Sequence, residues 1–515
     1  MQEISVKQSN MLWPRLHFGL SQWHARKSPG RPAHLSDAAN MAASTDSRMS
    51  MQTVIADILN EKLCPGHLQA LKTFTASLRD QEYRDAVQGE AFCSLLKVLS
   101  RLLDELQDAS DEEDQGLQLQ MTAECFRGQR NACVQSTRNQ GLLRELGFIE
   151  VSIKLLRLLQ TITVESTDAL RCGIQFLGNL AVGNQVCKDD IWQLSFPNLF
   201  QQLLSADDEK VVSYTAMVLH TCLDEAKVEQ LAEPNNIDLA LRVMELCRTQ
   251  PDLDWTVLIA TQHFVSSSSL VENMYTGMSH LERVTLLELL SAQLGEGDLK
   301  EDGAIPPSVA RFLACCFQKG CAAVLTLASG SASNDEALTV ISLLDVLCEM
   351  TSDHRQFMFL QDHPDLLSTT VELLEQVHAL GKASKNVFST AQNFSSFSPD
   401  GDSSSSSPSI SFKAHLIRLI GNLCHNNTDN QNKVRELDGI PLILDNCNID
   451  SNNPFIIQWS VFAIRNLLEH NKENQELVAA LEHGGVADYS ALKELGFQVE
   501  ERDGSLLLKP VRKDS

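Results

Sequence analysis

An all-α fold, a right-handed helical solenoid in two lobes, is what this sequence predicts, and three observations predict it. A short phrase recurs: Leu419-Ile-Gly-Asn-Leu-Cys424 and Ala463-Ile-Arg-Asn-Leu-Leu468 place Asn422 and Asn466 forty-four positions apart. Each Asn is followed nine residues later by a Gln, Gln431 and Gln475, both preceded by Asn. The same spacing joins Asn131 to Gln140, while Asn179 in Phe176-Leu-Gly-Asn-Leu-Ala181 has Gln185 only six residues on. Composition is the second observation: 43% of the 515 residues are hydrophobic but only 6% are aromatic, which favours helices over sheets. The third is apolar spacing of three and four along most of the chain. A helical period in the forties with polar turns between units is the pattern of stacked armadillo or HEAT repeats, which share one continuous core.

The elements follow in order. Residues 1–49 carry Lys7, Arg15, Arg26, Lys27 and Arg31 against Glu3 and Asp37, with Pro14, Pro29 and Pro32 breaking any helix. A basic, acid-poor leader can be a transit peptide, but no amphipathic stripe accompanies it, so a disordered or alternative extension ahead of Met41 or Met49 is expected. An N-terminal lobe spans 50–225. Within it, 91–106 puts Phe92, Leu95, Leu96, Leu99, Leu102, Leu103 and Leu106 on one helix face, and helices are expected at 117–133, 149–160, 167–182, 196–205 and 209–224. The run Asp108, Asp111, Glu112, Glu113 and Asp114 reads as a solvated acidic loop.

Degenerate repeats follow over 236–383, with helices expected at 236–249, 254–266, 281–293, 307–329, 336–351 and 365–381. Leu347, with Gln356 nine residues later, is placed at the ladder position of one of them. A Ser-rich insertion over 384–411 is too polar to pack, and its Ser398-Pro399 and Ser407-Pro408 are candidate phosphorylation sites. The best-preserved repeats occupy 412–485, and the second lobe ends there. In the tail, 486–515, Phe497–Glu501 and Ser505–Lys509 flank Asp503-Gly504, a dipeptide suited to a tight turn, so a small hairpin capping the last repeat is expected.

The ladder has a physical reason. One Asn per repeat, fixed on the helix that lines the concave face, can bond backbone groups of the neighbouring repeat or of a bound extended peptide. Asn131, Asn179, Asn422 and Asn466 are those positions, and tying the stack together is the preferred role. Arg418 and Gln458 lie on the same helices away from the apolar stripe and are expected to be exposed on the concave surface. After the Asn-Gln turn, Leu437-Asp-Gly-Ile-Pro441 opens a helix, with Gly439 suited to a positive φ and Pro441 to the first turn.

Several classes of function are disfavoured. The net charge of -25, from 42 basic and 67 acidic residues, repels phosphate backbones, so nucleic acid is not an expected partner. No run of eighteen or so uninterrupted apolar residues appears, and no membrane insertion is expected. The fourteen cysteines include no C-x-x-C pair and sit mostly in apolar helical runs, which reads as reduced core thiols in a cytosolic protein. Phosphate-loop, dinucleotide, nucleophile-elbow and zinc-protease motifs are all missing; Gly381-Lys382-Ala-Ser384 lacks the upstream Gly of a phosphate loop. No enzyme activity, cofactor or metal is expected.

Two resemblances bear on function. Armadillo nuclear-import adaptors carry a Trp four residues before each ladder Asn, but here that place holds Arg127, Gln175, Arg418 and Phe462, so their peptide-gripping array is not carried over. Arg171-Cys-Gly-Ile-Gln-Phe-Leu-Gly-Asn179, Leu343-Leu-Asp-Val-Leu-Cys-Glu-Met-Thr351 and above all His415–Leu477, with Glu436-Leu-Asp-Gly-Ile-Pro-Leu-Ile-Leu-Asp-Asn-Cys447, resemble the ataxin-10 family. The resemblance implies a non-enzymatic protein-protein scaffold linked to neuron survival and neurite outgrowth, cytokinesis, the centrosome, the ciliary base and the midbody. It further implies a cytoplasmic, perinuclear location, self-association into a homo-oligomer, and O-GlcNAc transferase and a G-protein β subunit as partners. The alternative is a peptide- or cargo-binding transport adaptor of the armadillo class.

Overall fold

The computed structural model describes residues 58–59, 61–108, 112–162, 166–295, 305–329, 335–352, 355–390, 410–481, 497–502 and 505–510. The leader, the greater part of the Ser-rich insertion with Ser398 and Ser407, and the Asp503-Gly504 dipeptide lie outside the described residues. The fold is an all-α armadillo-type solenoid, and the chain divides into two compact units, Met1–His263 and Phe264–Ser515. The break comes later than the sequence pattern suggested. Helix Ile237–Thr249 packs with Asn198–Leu204, Glu225–Ala232 and Asp254–Ile259 in the first unit.

In the first unit, helices Pro65–Ser77, Glu112–Ala132, Thr167–Ala181, Glu209–Cys222 and Asp254–Ile259 pack one on the next. A second layer lies against them: Gly89–Asp108 on Phe148–Leu159, and Asn198–Leu204 on Ile237–Thr249. The apolar face read from Gly89–Asp108 is buried through Phe92, Leu95, Val98, Leu99, Leu102, Leu103 and Leu106. Helix Asp254–Ile259 is shorter than the 254–266 expected, because the backbone changes to a π turn over Ala260–Phe264.

The second unit repeats the plan. Helices His280–Gly295, Asp335–Ser352, Phe412–Leu423 and Ile456–Leu468 pack in succession, with Pro307–Gly320 against Leu366–Ala383 in the second layer. The run Pro307–Ser329 is long and apolar enough by length and hydropathy to cross a membrane, but Arg311, Gln318 and Lys319 interrupt it, so it is not an uninterrupted apolar run. It breaks at Cys321 into a 3-10 helix and packs on Asp335–Ser352. The chain's described C-terminal part is a two-stranded antiparallel pairing of β1 (Phe497–Arg502) with β2 (Ser505–Pro510), in register from Phe497 opposite Pro510 to Arg502 opposite Ser505.

What the sequence shows as Asn-Gln turns are the starts of helices. Asn139-Gln140, Asn430-Gln431 and Asn474-Gln475 sit inside Thr137–Glu145, Thr428–Glu436 and Lys472–Ala480. Ser136, Asn427 and Asn471 cap these helices, each side chain accepting from the N–H three residues on. Asp438, not Gly439, takes the positive φ before Gly439–Asp445. Gly439 is needed for space, since a Cβ there would come within 2.6 Å of Val434 Cγ1.

Candidate functional site

The four ladder asparagines make the same bond. Each Nδ2 donates to a carbonyl on the preceding helix of the stack: Asn131 to Thr75 at 3.1 Å, Asn179 to Arg130 at 3.1 Å, Asn422 to Cys348 at 3.1 Å and Asn466 to Gly421 at 2.9 Å. Asn131, Asn422 and Asn466 are buried and Asn179 is half-buried. In each later rung the acceptor is the residue just before a ladder position, which identifies the degenerate rung. Because Asn422 bonds Cys348, the ladder place on Asp335–Ser352 is Glu349 and not Leu347. The associated Gln is Gln361 and not Gln356, since a 3-10 segment, Arg355–Asp362, replaces the α-helical start found in the other repeats.

The Asn-Gln pairs complete the network. Gln140, Gln361 and Gln431 each donate forward to two carbonyls of the next repeat, those of Asn179 and Val182, Asn422 and His425, and Asn466 and Glu469. Asn139, Asn430 and Asn474 each tie a carbonyl of the preceding repeat to one of their own, through Arg84 and Ala132, Gln361 and Leu423, and Gln431 and Leu467. Every rung therefore satisfies carbonyls at helix ends that packing would otherwise leave without a partner.

The glycine of the Leu-Gly-Asn phrase sets the closeness of approach. A Cβ on Gly421 would stand 2.9 Å from Phe462 Cδ1 and 3.0 Å from the Ala463 Cα, and one on Gly178 would stand 2.7 Å from Met217 Cε. Phe462 lies four residues before Asn466, so by the same packing Thr221 occupies the ladder place on Glu209–Cys222. Its hydroxyl turns back to the Met217 carbonyl of its own helix, and the ladder lapses there.

The four positions that resemble the import adaptors' Trp sites are occupied by contacts between neighbouring helices. Arg127 pairs with Glu124 at 2.8 Å and Asp168 at 2.5 Å, and Gln175 accepts from Arg130. Arg418 pairs with Glu349 at 2.9 Å and lies 4.8 Å over the Trp459 ring, whereas the sequence suggested an exposed side chain; only 14% of it reaches solvent. Phe462 packs edge-on to Trp459 and against Gly421. Gln458 is exposed, as expected. The sequence reading missed His415–Asp345, 2.5 Å apart and one helical turn from Arg418–Glu349, because its partner lies seventy residues away.

Among the described residues no group of three or more His, Cys, Asp and Glu is placed to hold a metal. A shallow hollow lined by Asn198, Gln201, Gln202 and Ser205 offers no titratable side chain. His220 and His263 meet edge to face at 5.2 Å beside Trp255, and burial together with His220 pushes His263 down to about 4. All fourteen cysteines are free, eight of them buried.

The chain is 45% identical to Ataxin-10 of Xenopus tropicalis over 443 residues, 84% of this chain and 90% of that protein. It belongs to the ataxin-10 family. Ataxin-10 of Homo sapiens is 41% identical over 455 residues, covering 86% of this chain and 94% of the relative. The Dictyostelium discoideum homolog of ataxin-10 is 50% identical over a shorter stretch of 103 residues, 20% of this chain and 17% of its own. A family model described as the spinocerebellar ataxia type 10 protein domain matches residues 412–509, a span that opens with the helix carrying Asn422. One solved structure, described as a phosphorylation switch controlling the interaction between cadherin and beta-catenin, covers 86% of this chain at 11% identity and a TM-score of 0.37.

Proposed function

We propose that this ataxin-10 family chain is a non-enzymatic protein-interaction scaffold whose C-terminal repeats carry the main contact surface, with a second copy of the chain among its partners. One observation carries the reading. Of nine exposed large hydrophobic side chains among the described residues, Phe455, Ile457, Val461 and Leu481 gather on the last repeat, with Val461 62% exposed. Ile457 and Val461 are one turn apart on Ile456–Leu468, and clustered exposed apolar side chains mark interaction surfaces. Roles in neuron survival, neurite outgrowth, cytokinesis, the centrosome and the ciliary base rest on the family resemblance. So do a cytoplasmic location and partnership with O-GlcNAc transferase and a G-protein β subunit.

A peptide-carrying adaptor is less well supported. Its groove needs ladder asparagines and neighbouring aromatics free to meet a peptide, and here the asparagines are spent on the stack itself. The test is sedimentation and affinity capture of the full chain beside an Ile457→Glu, Val461→Glu double variant. Loss of self-association and of partner capture with unchanged melting is expected. Equal capture by both proteins would move the contact surface elsewhere.

A further inference from the structure

Cys315 is half-exposed on Pro307–Gly320, and its Sγ stands 3.7 Å from Nε2 of His363. The other ring nitrogen, Nδ1, is 3.2 Å from the Pro364 carbonyl oxygen. A carbonyl only accepts, so Nδ1 carries the hydrogen and Nε2 presents its lone pair to the thiol. The same carbonyl accepts from Gln318 Nε2 at 2.6 Å, and Gln318 lies on the helix that carries Cys315. Thiol, base and the group that orients the base thus form one connected set, the arrangement that activates a sulfur nucleophile. Arg311, one turn earlier on the same helix face, is fixed 4.4 Å over the Phe359 ring and adds a cation to that face.

The other thirteen cysteines lack this setting. Eight are buried, and burial also raises Cys316, to about 11, and the half-exposed Cys321 and Cys447. Cys64 and Cys93 are half-exposed but have no imidazole partner among the described residues.

We infer that Cys315 and His363 form a modification site for small soluble electrophiles, low-molecular-weight disulfides above all. His363 Nε2 takes the Sγ proton, and the thiolate attacks one sulfur of a disulfide such as oxidised glutathione. The S–S bond of glutathione disulfide breaks as the mixed disulfide forms. The departing glutathione thiolate takes the proton from the imidazolium, so Cys315 is oxidised and one glutathione half is reduced.

The test is limiting iodoacetamide on the full-length chain at neutral pH, with peptide mapping of all fourteen cysteines. Cys315 should react first, about ten-fold ahead of Cys64 and Cys93. His363→Gln should remove that lead and leave Cys64 and Cys93 unchanged, and glutathione disulfide should add one glutathione to the wild type and none to Cys315→Ser. Labelling of Cys315 no faster than Cys64 and Cys93 in the wild type overturns the inference without recourse to any variant. A lead that survives His363→Gln overturns the role of the base.

Discussion

The ladders of the two units lapse at opposite ends, the first after Asn179 at Thr221 and the second before Asn422 at Glu349. In the first unit the rungs Asn131 and Asn179 are followed by Thr221, whose hydroxyl serves its own helix, and the next link is ionic. There Lys227 spans Asp189 at 2.7 Å and Asp224 at 2.6 Å, both carboxylates 40% or more exposed. In the second unit the rungs Asn422 and Asn466 are consecutive, and the ion pair beside them is sealed: Lys413 and Asp450, 3.3 Å apart, are 4% and 2% exposed. A neutral amide rung works at any depth, because it meets a carbonyl with no ion to desolvate. A charged link is cheap only while one partner stays wet, and a buried one binds each partner to the other's presence.

Three measurements sharpen this contrast. Lys413→Met leaves the Asp450 carboxylate buried without its cation and should cost about 3–5 kcal/mol in chemical denaturation, whereas Lys227→Met should cost about 1 kcal/mol or less, since Asp189 and Asp224 return to solvent. Equal losses would break the distinction between sealed and wet links. Next in size, Asn422→Ala or Asn466→Ala should each destabilise the second unit by about 1–3 kcal/mol, with Asn179→Ala at the lower end because that side chain is half-buried. Unchanged melting of both C-terminal variants would make those asparagines ligand-binding groups instead of rungs. A comparable difference is expected at the glycines. Gly421→Ala must push against the Ala463 backbone and should cost about 1–3 kcal/mol. In Gly178→Ala the flexible Met217 methyl can swing aside, and the roughly 1 kcal/mol helix preference of Ala over Gly should leave that variant near neutral.

Much of this was legible in the residues. The helix positions of Gly89–Asp108, Thr167–Ala181 and Asp335–Ser352 followed from apolar spacing, and the four ladder asparagines from a repeated phrase. The short helices behind the ladder did not, because their buried positions are polar: Asn139, Gln140, Gln431 and Asn474 are buried through hydrogen bonds, not apolar contact. A period search for Leu and Val passes over them. The Glu349 rung was misplaced by two residues because nothing in its own sequence resembles the phrase; only the Asn422 bond to the Cys348 carbonyl identifies it. Arg418 looked exposed because its partners, Glu349 and Trp459, lie sixty-nine residues before and forty-one after.

Every rung joins a side chain to a main chain. The carbonyls that receive Asn131, Asn179, Asn422 and Asn466 belong to Thr75, Arg130, Cys348 and Gly421, four residues with nothing in common but a peptide oxygen. The donor is specified and the acceptor is anonymous. A stack joined this way asks each helix to keep one letter and, except where packing fixes the acceptor as it does Gly421, leaves its partner free to drift, so neighbouring repeats can diverge while their spacing and register persist.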